Sequence, residues 1–306
     1  MWASKFTARL LAIGICVNLM GAAAALVIGK SILPSDGVLG YAHYPIGRIF
    51  GNLHLLDIAR GIHVQIASGI PLVQPLAWSP DGTQLAFAEL DGNDYEIYLL
   101  DLMQHRPDGR RARPLTENED QDLHPAWSPD GSQVVFQAFR GGHYDLYAVN
   151  VRNGHETQLN DQQDYEYAPV WSPDGRYIAY AGIPAGRGYG LYALDLMTMR
   201  VSYLADLPER SYAVWAPNGA HLLFSPIDRS GVYRVDLGSN DPVELSDSLH
   251  PGQIGGRAAW SPDSNRIAVV SDHEGGSWVY ILSADGTGLR RVTFGVGLDA
   301  APAWIP

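Results

Sequence analysis

Apolar residues along this chain fall into short runs that recur in a fixed order between polar, turn-forming segments. After each turn comes one run: LAFAE from Leu85, VVFQA from Val134, IAYAG from Ile178, LLFSP from Leu222 and IAVVS from Ile267. A second run follows a polar, Gly-rich link: EIYLLD ending at Asp101, DLYAVN at Asn150, GLYALD at Asp195, GVYRVD at Asp236 and WVYILS at Ser283. A third is shorter, as in RPLT from Arg113 and RRVT from Arg290. Rich in β-branched and aromatic residues and bounded by Gly, Pro, Asp or Asn, these runs predict strands.

A tryptophan segment introduces each set. Its copies are Trp78 (AWSPDG), Trp127 (AWSPDG), Trp171 (VWSPDG), Trp215 (VWAPNG), Trp260 (AWSPDS) and Trp304 (AWIP, where the sequence stops), at intervals of 49, 44, 44, 45 and 44 residues. With the tryptophan segment counted, each repeat holds four strands, A to D. Between A and B, proline presets φ, aspartate bonds its own backbone and glycine takes positive φ. Asn218 preserves that chemistry, whereas the pattern gives no reason for Ser264 in place of glycine. A four-stranded unit with two apolar faces cannot complete its burial alone, and a repeat of this length fits a β-propeller blade.

The two ends of the chain are complementary. Ala303-Trp304-Ile305-Pro306 supplies a strand A with nothing after it, while LGYAHY from Leu39, NLHLLD from Asn52 and HVQIA from His63 fill the B, C and D places. The expected fold is all-β: a six-bladed propeller closed by pairing the C-terminal strand A with N-terminal strands B–D, which hides free edges. The repeated tryptophans, and Tyr98, Tyr147, Tyr192, Tyr233 and Tyr280, read as packing between blades.

Ahead of the ring, residues 10–29 carry no formal charge, and Asn18 is their only strongly polar side chain. As a helix this stretch would span about 30 Å, enough to cross a bilayer. Lys5 and Arg9 precede it, which places the start of the chain in the cytoplasm and the propeller outside. The expected organisation is a signal-anchor or transmembrane helix at 1–30, a tether at 31–38 and the propeller at 39–306. The protein would then be a single-pass cell-membrane protein with its propeller on the periplasmic or extracellular side. Cleavage near the small residues 22–25, giving a secreted or periplasmic protein, is the alternative, although the apolar run outlasts the usual signal core of about 7–15 residues. The sole cysteine, Cys16, lies in this segment, so the exported part has no disulfide and must be stabilised by packing.

Strand order gives the ring two rims. The A-to-B turns and C-to-D connections share one, and its turns are stereotyped. The D-to-A and B-to-C links share the other, where the repeats diverge: ENEDQDLHP (117–125), NDQQDYEYAP (160–169), DLPERSYA (206–213), DSLHPGQIGGRA (247–258) and GVGLDAAP (295–302). Variable loops on a rigid scaffold are where binding usually resides, and aromatic groups serve as contact anchors. The candidate interaction rim is therefore Glu117, Glu119, Asp120, Asp122, His124, Asp164, Tyr165, Glu166, Tyr167 and Tyr212, with Tyr95, Tyr144, Tyr189 and Trp278 from the B-to-C links.

Charge and motif content narrow the partners. A formal net charge of −12, with no basic stripe, argues against nucleic acid. No cofactor is expected; calcium is the one ion whose oxygen preference the rim acids would suit, and no calcium-loop consensus is present. The ten histidines include no HExxH arrangement, and no GxSxG elbow occurs. No catalytic residue is assigned, and a binding module is expected rather than an enzyme. A carboxylate pair for glycoside chemistry is defined by distance and not by sequence spacing, so a glycan-binding or carbohydrate-active propeller is the alternative reading.

The repeated [AV]WSPDG, the apolar run after it and the Φ-Y-x-x-D segment resemble the TolB-type propeller repeat, also called WD40-like or PD40, from Leu39 to the end. The resemblance implies a six-bladed ring in which Trp78, Asp81, Gly82, Trp127, Asp130, Gly131, Trp171, Asp174 and Gly175 are blade structure with no catalytic role. It also implies protein binding, because members of the Tol–Pal envelope system bind partner proteins at the propeller. Only a short tether fits between Gly29 and Leu39, a departure from members that carry an α/β domain there. The expected function is a membrane-tethered extracytoplasmic interaction or scaffold module, an accessory subunit of an envelope or membrane complex. Its partners would be an envelope protein and, through the N-terminal helix, the lipid bilayer.

Overall fold

The computed structural model describes residues 37–47, 50–71, 76–102, 112–160, 165–183, 188–207, 211–226, 231–236, 241–246, 258–272 and 276–306. Among them, strands form six four-stranded sheets, and every strand pairing is antiparallel. Numbered by their inner strands, the blades begin at Ala77–Trp78, Gln121–Trp127, Tyr165–Trp171, Ser211–Trp215, Ala259–Trp260 and Leu298–Trp304. Each inner strand touches the next, and that of blade 6 touches that of blade 1, so the ring is closed.

Blade 6 joins the two ends as the sequence predicts. Leu298–Trp304 pairs with Val38–Tyr44, setting Trp304 opposite Leu39 and Asp299 opposite His43. Phe50–Asp57 and Ile62–Pro71 complete the sheet. The Ile305 N–H extends the ladder by donating to the Val38 carbonyl at 3.0 Å. Strand contact is close at Gly40, where a Cβ would lie 2.8 Å from the Trp78 ring of blade 1.

One buried apolar cluster fills each of the six seams between blades. Between blades 5 and 6, for example, Ala268, Val270 and Ile281 pack against Leu39, Tyr41 and Leu56, with Trp304 among them. The motif tryptophans are buried in these seams, Trp171 less completely than the others. Two also act as sutures: the Trp127 Nε1–H donates to the Ala77 carbonyl at 3.0 Å, and that of Trp304 to the Ala259 carbonyl at 3.1 Å, each in the preceding blade.

The turn motif is a hydrogen-bonded unit. In blade 2 the Ser128 hydroxyl donates to Asp130 Oδ1 at 2.7 Å, the Ser132 N–H donates to the same oxygen, and the Gln133 N–H donates to Ser128 Oγ. Blades 1, 3 and 5 repeat it with Asp81, Asp174 and Asp263. Gly131 takes φ +72° and Ser264, at the equivalent place in blade 5, takes +59°. The serine that the pattern leaves unexplained thus occupies a left-handed position without glycine's freedom, a local strain that the turn's hydrogen bonds offset.

The expected transmembrane helix at 1–30 and almost all of the tether at 31–38 lie outside the described residues. Among the described residues there is no helix, and none long and apolar enough to cross a membrane.

Closure carries a stability prediction. Trp304 is 6 % exposed, and Trp304→Ala is expected to cost about 3–5 kcal/mol, the usual range for deleting a buried tryptophan. Val201→Ala, on the exposed outer strand of blade 3, should stay within about 0.5 kcal/mol. Urea midpoints of the two variants check this; equal losses would mean that closure contributes nothing special.

Candidate functional site

The inner strands begin further upstream than the links suggest. Gln121–Trp127, Tyr165–Trp171 and Leu298–Trp304 each run seven residues, taking in positions that read as free loop. Each also contains a bulge at the third residue before the tryptophan: His124, Ala168 and Ala301 have φ of 58°, 50° and 49°, and proline follows each one. Ser211–Trp215 lacks that proline and pairs without a register shift. The extra residue changes which side chains face inward upstream of it.

That change corrects part of the expected rim. Asp122, Glu166 and Asp299, each five residues before a motif tryptophan, are at most 1 % exposed and turn into the seams. Trp278 is also buried, at 9 %, beneath the Arg291 guanidinium 4.1 Å from its ring. These three proposed contacts, Asp122, Glu166 and Trp278, are therefore structural groups. Asp164 lies outside the described residues.

The remaining candidates form a surface. Tyr144 sits between Phe139, at 5.0 Å between ring centroids, and Tyr167, at 5.5 Å; Tyr167 in turn stacks on Tyr165 at 6.2 Å. This four-ring ladder bridges blades 2 and 3, and its ends, Phe139 and Tyr165, are the exposed members at 39 % and 43 %. On the link that leads into Gln121–Trp127, Glu117 and Glu119 are exposed, while half-buried Asp120 is paired to Arg140 at 3.1 Å. His124 of blade 2 reaches Tyr212 of blade 4, with Nε2 3.3 Å from the hydroxyl. Because blades 2 and 4 are not neighbours, that contact passes over blade 3 towards the ring's centre. Tyr95 and Tyr189 are half-buried and not part of the ladder's ring contacts.

Sequence reasoning missed Phe139, which directly follows the run VVFQA. It also missed a second exposed sector at the junction of blades 5 and 6: Ile46, Phe294 and Val296 on links, and Leu298 at the start of the closing strand. Phe294 is backed by Arg291, 4.9 Å from its ring, and Val296 stands between Gly295 and Gly297, both at positive φ. The signal available in sequence was the flanking of single apolar residues by glycine.

Buried carboxyls hold the links in place. Glu96 of blade 1 accepts from the Thr116 hydroxyl at 2.5 Å and the Asn118 N–H at 2.7 Å. The Asn118 side chain passes the connection on to Asp122 at 2.9 Å and accepts from the Asp120 N–H. One seam further, Gln158 donates to Asp145 at 3.0 Å, and Asn160 donates to Glu166. Burial pushes the Asp122 carboxyl up to about 7, against the pull of Asn118 and Arg140. Glu166 is pushed up to about 8, by burial first and by the neighbouring Asp145 second. Glu166 is thus largely neutral at neutral pH. Among the described residues no group of three or more His, Cys, Asp or Glu is placed to hold a metal ion.

A family model described as the PD40, TolB beta propeller domain matches residues 20–241, well over half of the chain. Over 106 residues the chain is 31% identical to the Tol-Pal system protein TolB of Anaeromyxobacter sp. (strain K). That alignment covers 32% of this chain and 23% of the relative, so the chain matches under a quarter of that protein's length. The structure of TolB from Acinetobacter baumannii superposes with a TM-score of 0.74 at 18% identity, covering 92% of this chain and 70% of that one. Hydrazine synthase of Kuenenia stuttgartiensis gives 0.66 at 12% identity, over 91% of this chain and 47% of that one. At such identities the two structures show a shared fold alone.

Glu166 provides a pH test. Its folded state holds the proton more tightly than the unfolded chain, whose carboxyl titrates near 4.5. Stability contributed at this site is therefore complete below about pH 4.5 and falls as pH rises towards 8. Glu166→Gln should flatten the loss between pH 5 and pH 9 in thermal melts; a variant tracking wild type throughout would disprove the assignment.

Proposed function

Because this chain belongs to the PD40, TolB β-propeller, family, we propose that it is an extracytoplasmic protein-interaction module of a Tol–Pal-type envelope assembly. The observation that carries the reading is the aromatic ladder Phe139–Tyr144–Tyr167–Tyr165, with exposed Glu117 and Glu119 on the link entering blade 2, on a rim whose backbone is held by closed sheets. Half-exposed rings give contact area with little conformational freedom to lose, and neighbouring acids select partners that present basic groups. His124 and Tyr212 add polar contacts near the axis.

A membrane tether is compatible with this arrangement and belongs to the same proposal. The described chain enters blade 6 at Gly37, just before Val38–Tyr44 begins opposite Trp304, on the stereotyped turn rim. The A-to-B turn of blade 1 lies nearby, since a Cβ on Gly82 would be 3.1 Å from Ile305. A helix preceding residue 37 would hold the turn rim towards the bilayer and leave the ladder facing away, in the periplasm. The accessory role in a larger complex belongs to the same proposal and is supported by the exposed rings and acids of the rim.

The test is co-purification of the tagged full-length chain with the Tol–Pal components of its own membranes after crosslinking. Recovery should fall at least tenfold in a variant combining Tyr165→Ala, Glu117→Lys and Glu119→Lys, with the melting temperature unchanged. Undiminished recovery, or none from wild type, would sink the proposal.

A further inference from the structure

The sheet that closes the ring carries three histidines, one on each of its N-terminal strands: His43, His54 and His63. Cross-strand pairing puts His43 opposite Asp299 and His54 opposite Tyr41. Tyr41 belongs to the cluster against blade 5, and Asp299 exchanges hydrogen bonds with Ser277 of that blade, so this face looks into the seam. His43 Nδ1 lies 2.7 Å from Asp299 Oδ1, tying the first strand to the last. His63 Nδ1 lies 2.8 Å from the Tyr41 hydroxyl. The His54 ring stacks on Tyr41 at 5.4 Å and meets His43 edge-on at 5.6 Å, with its Nε2 buried and without a hydrogen-bond partner.

The titratable groups of the layer are thus Tyr41, the three imidazoles and Asp299. Blade 5 presents to Asp299 the hydroxyls of Ser277 and Thr293, which do not titrate in the working range, and its Arg291 is turned onto the Trp278 and Phe294 rings. In blades 1 to 5 a turn links strand A covalently to strand B; in blade 6 those strands are the two ends of the chain and are held by hydrogen bonds and packing alone.

We propose that this layer is an acid-sensitive latch: proton uptake by His54, packed against Tyr41 and His43 with no acceptor at its buried Nε2, parts the first strand from the last and opens the ring at blade 6 while the other blades stay folded. This goes beyond the interaction role and stands independently of it. That proton places a positive charge in a partly buried layer whose single carboxylate, Asp299, is already bonded to His43. Burial raises the Asp299 carboxyl, with His43 pulling the other way, so proton uptake at Asp299 itself favours the closed sheet, and the opening response belongs to His54. His54 is pushed down to about 4, by burial first and by His43 and His63 next, from an ordinary 6.5. The unfolded or opened chain therefore takes up the proton first. The latch is complete above about pH 6.5 and weakens as pH falls towards 4. The sign is opposite to that at Glu166, which separates the two responses.

Hydrogen exchange of the full-length chain at pH 7.0, 5.5 and 4.5, corrected for intrinsic rates, tests it. Protection of Val38–Tyr44 and Leu298–Trp304 should fall at least tenfold relative to Gln133–Arg140 of blade 2, and His54→Phe should keep it within about twofold. If His54→Phe does not fold, His63→Gln at the exposed edge is read instead, with an expected loss of no more than about threefold. Loss of protection in step across all blades, or an undiminished response in the folded variant, would overturn the latch.

Discussion

The antiparallel ladder between Leu298–Trp304 and Val38–Tyr44 is the contact on which every other feature rests. Without it both strands become open edges, and the seam clusters on either side of blade 6 lose a wall. The consequence reaches the rim, because links from different blades keep their spacing only while the ring is closed. His124 meets Tyr212 from two blades away, a contact that no single sheet could position.

Six apolar seams would close a ring unaided, so the carboxyls within them call for a physical reason. Glu96, Asp122, Asp145, Glu166 and Asp299 are all nearly inaccessible to water. Burying such groups rarely adds stability over apolar packing, but it demands particular partners. Those partners are the rim links: the Asn118 backbone on Glu96, the Asn118 side chain on Asp122 and the Asn160 side chain on Glu166. The buried acids thus shape the loops from beneath while Glu117 and Glu119 face solvent above them. Acidity on this rim has two roles, separated by burial.

Propeller repeats are shared by proteins with unrelated activities, so function has to be argued from what the rims carry. Here the turn rim is nearly uniform, with Ser–Asp hydrogen bonds repeated in blades 1, 2, 3 and 5. The opposite rim differs from sector to sector: an aromatic ladder with acids at blades 2 and 3, and exposed Phe294 and Val296 near blade 6. Such asymmetry on a symmetric frame is what a docking surface requires.

Strand count, blade number, turn chemistry and the joining of the two ends were legible in the sequence, because each depends on local residue type repeated at a constant interval. So was the side of the ring on which variation concentrates, since strand order alone assigns links to rims. The state of individual acids was not legible. Asp122 and Glu166 look like the loop acids Glu117 and Glu119 in sequence, and a bulge of one residue at His124 or Ala168 sends them inward instead. Nor could spacing reveal that Phe139 caps a run of tyrosines from two blades, or that three histidines far from Asp299 in sequence share its sheet. Those relations depend on bulge parity and on distances across seams, which come into being only when the sheets pack together.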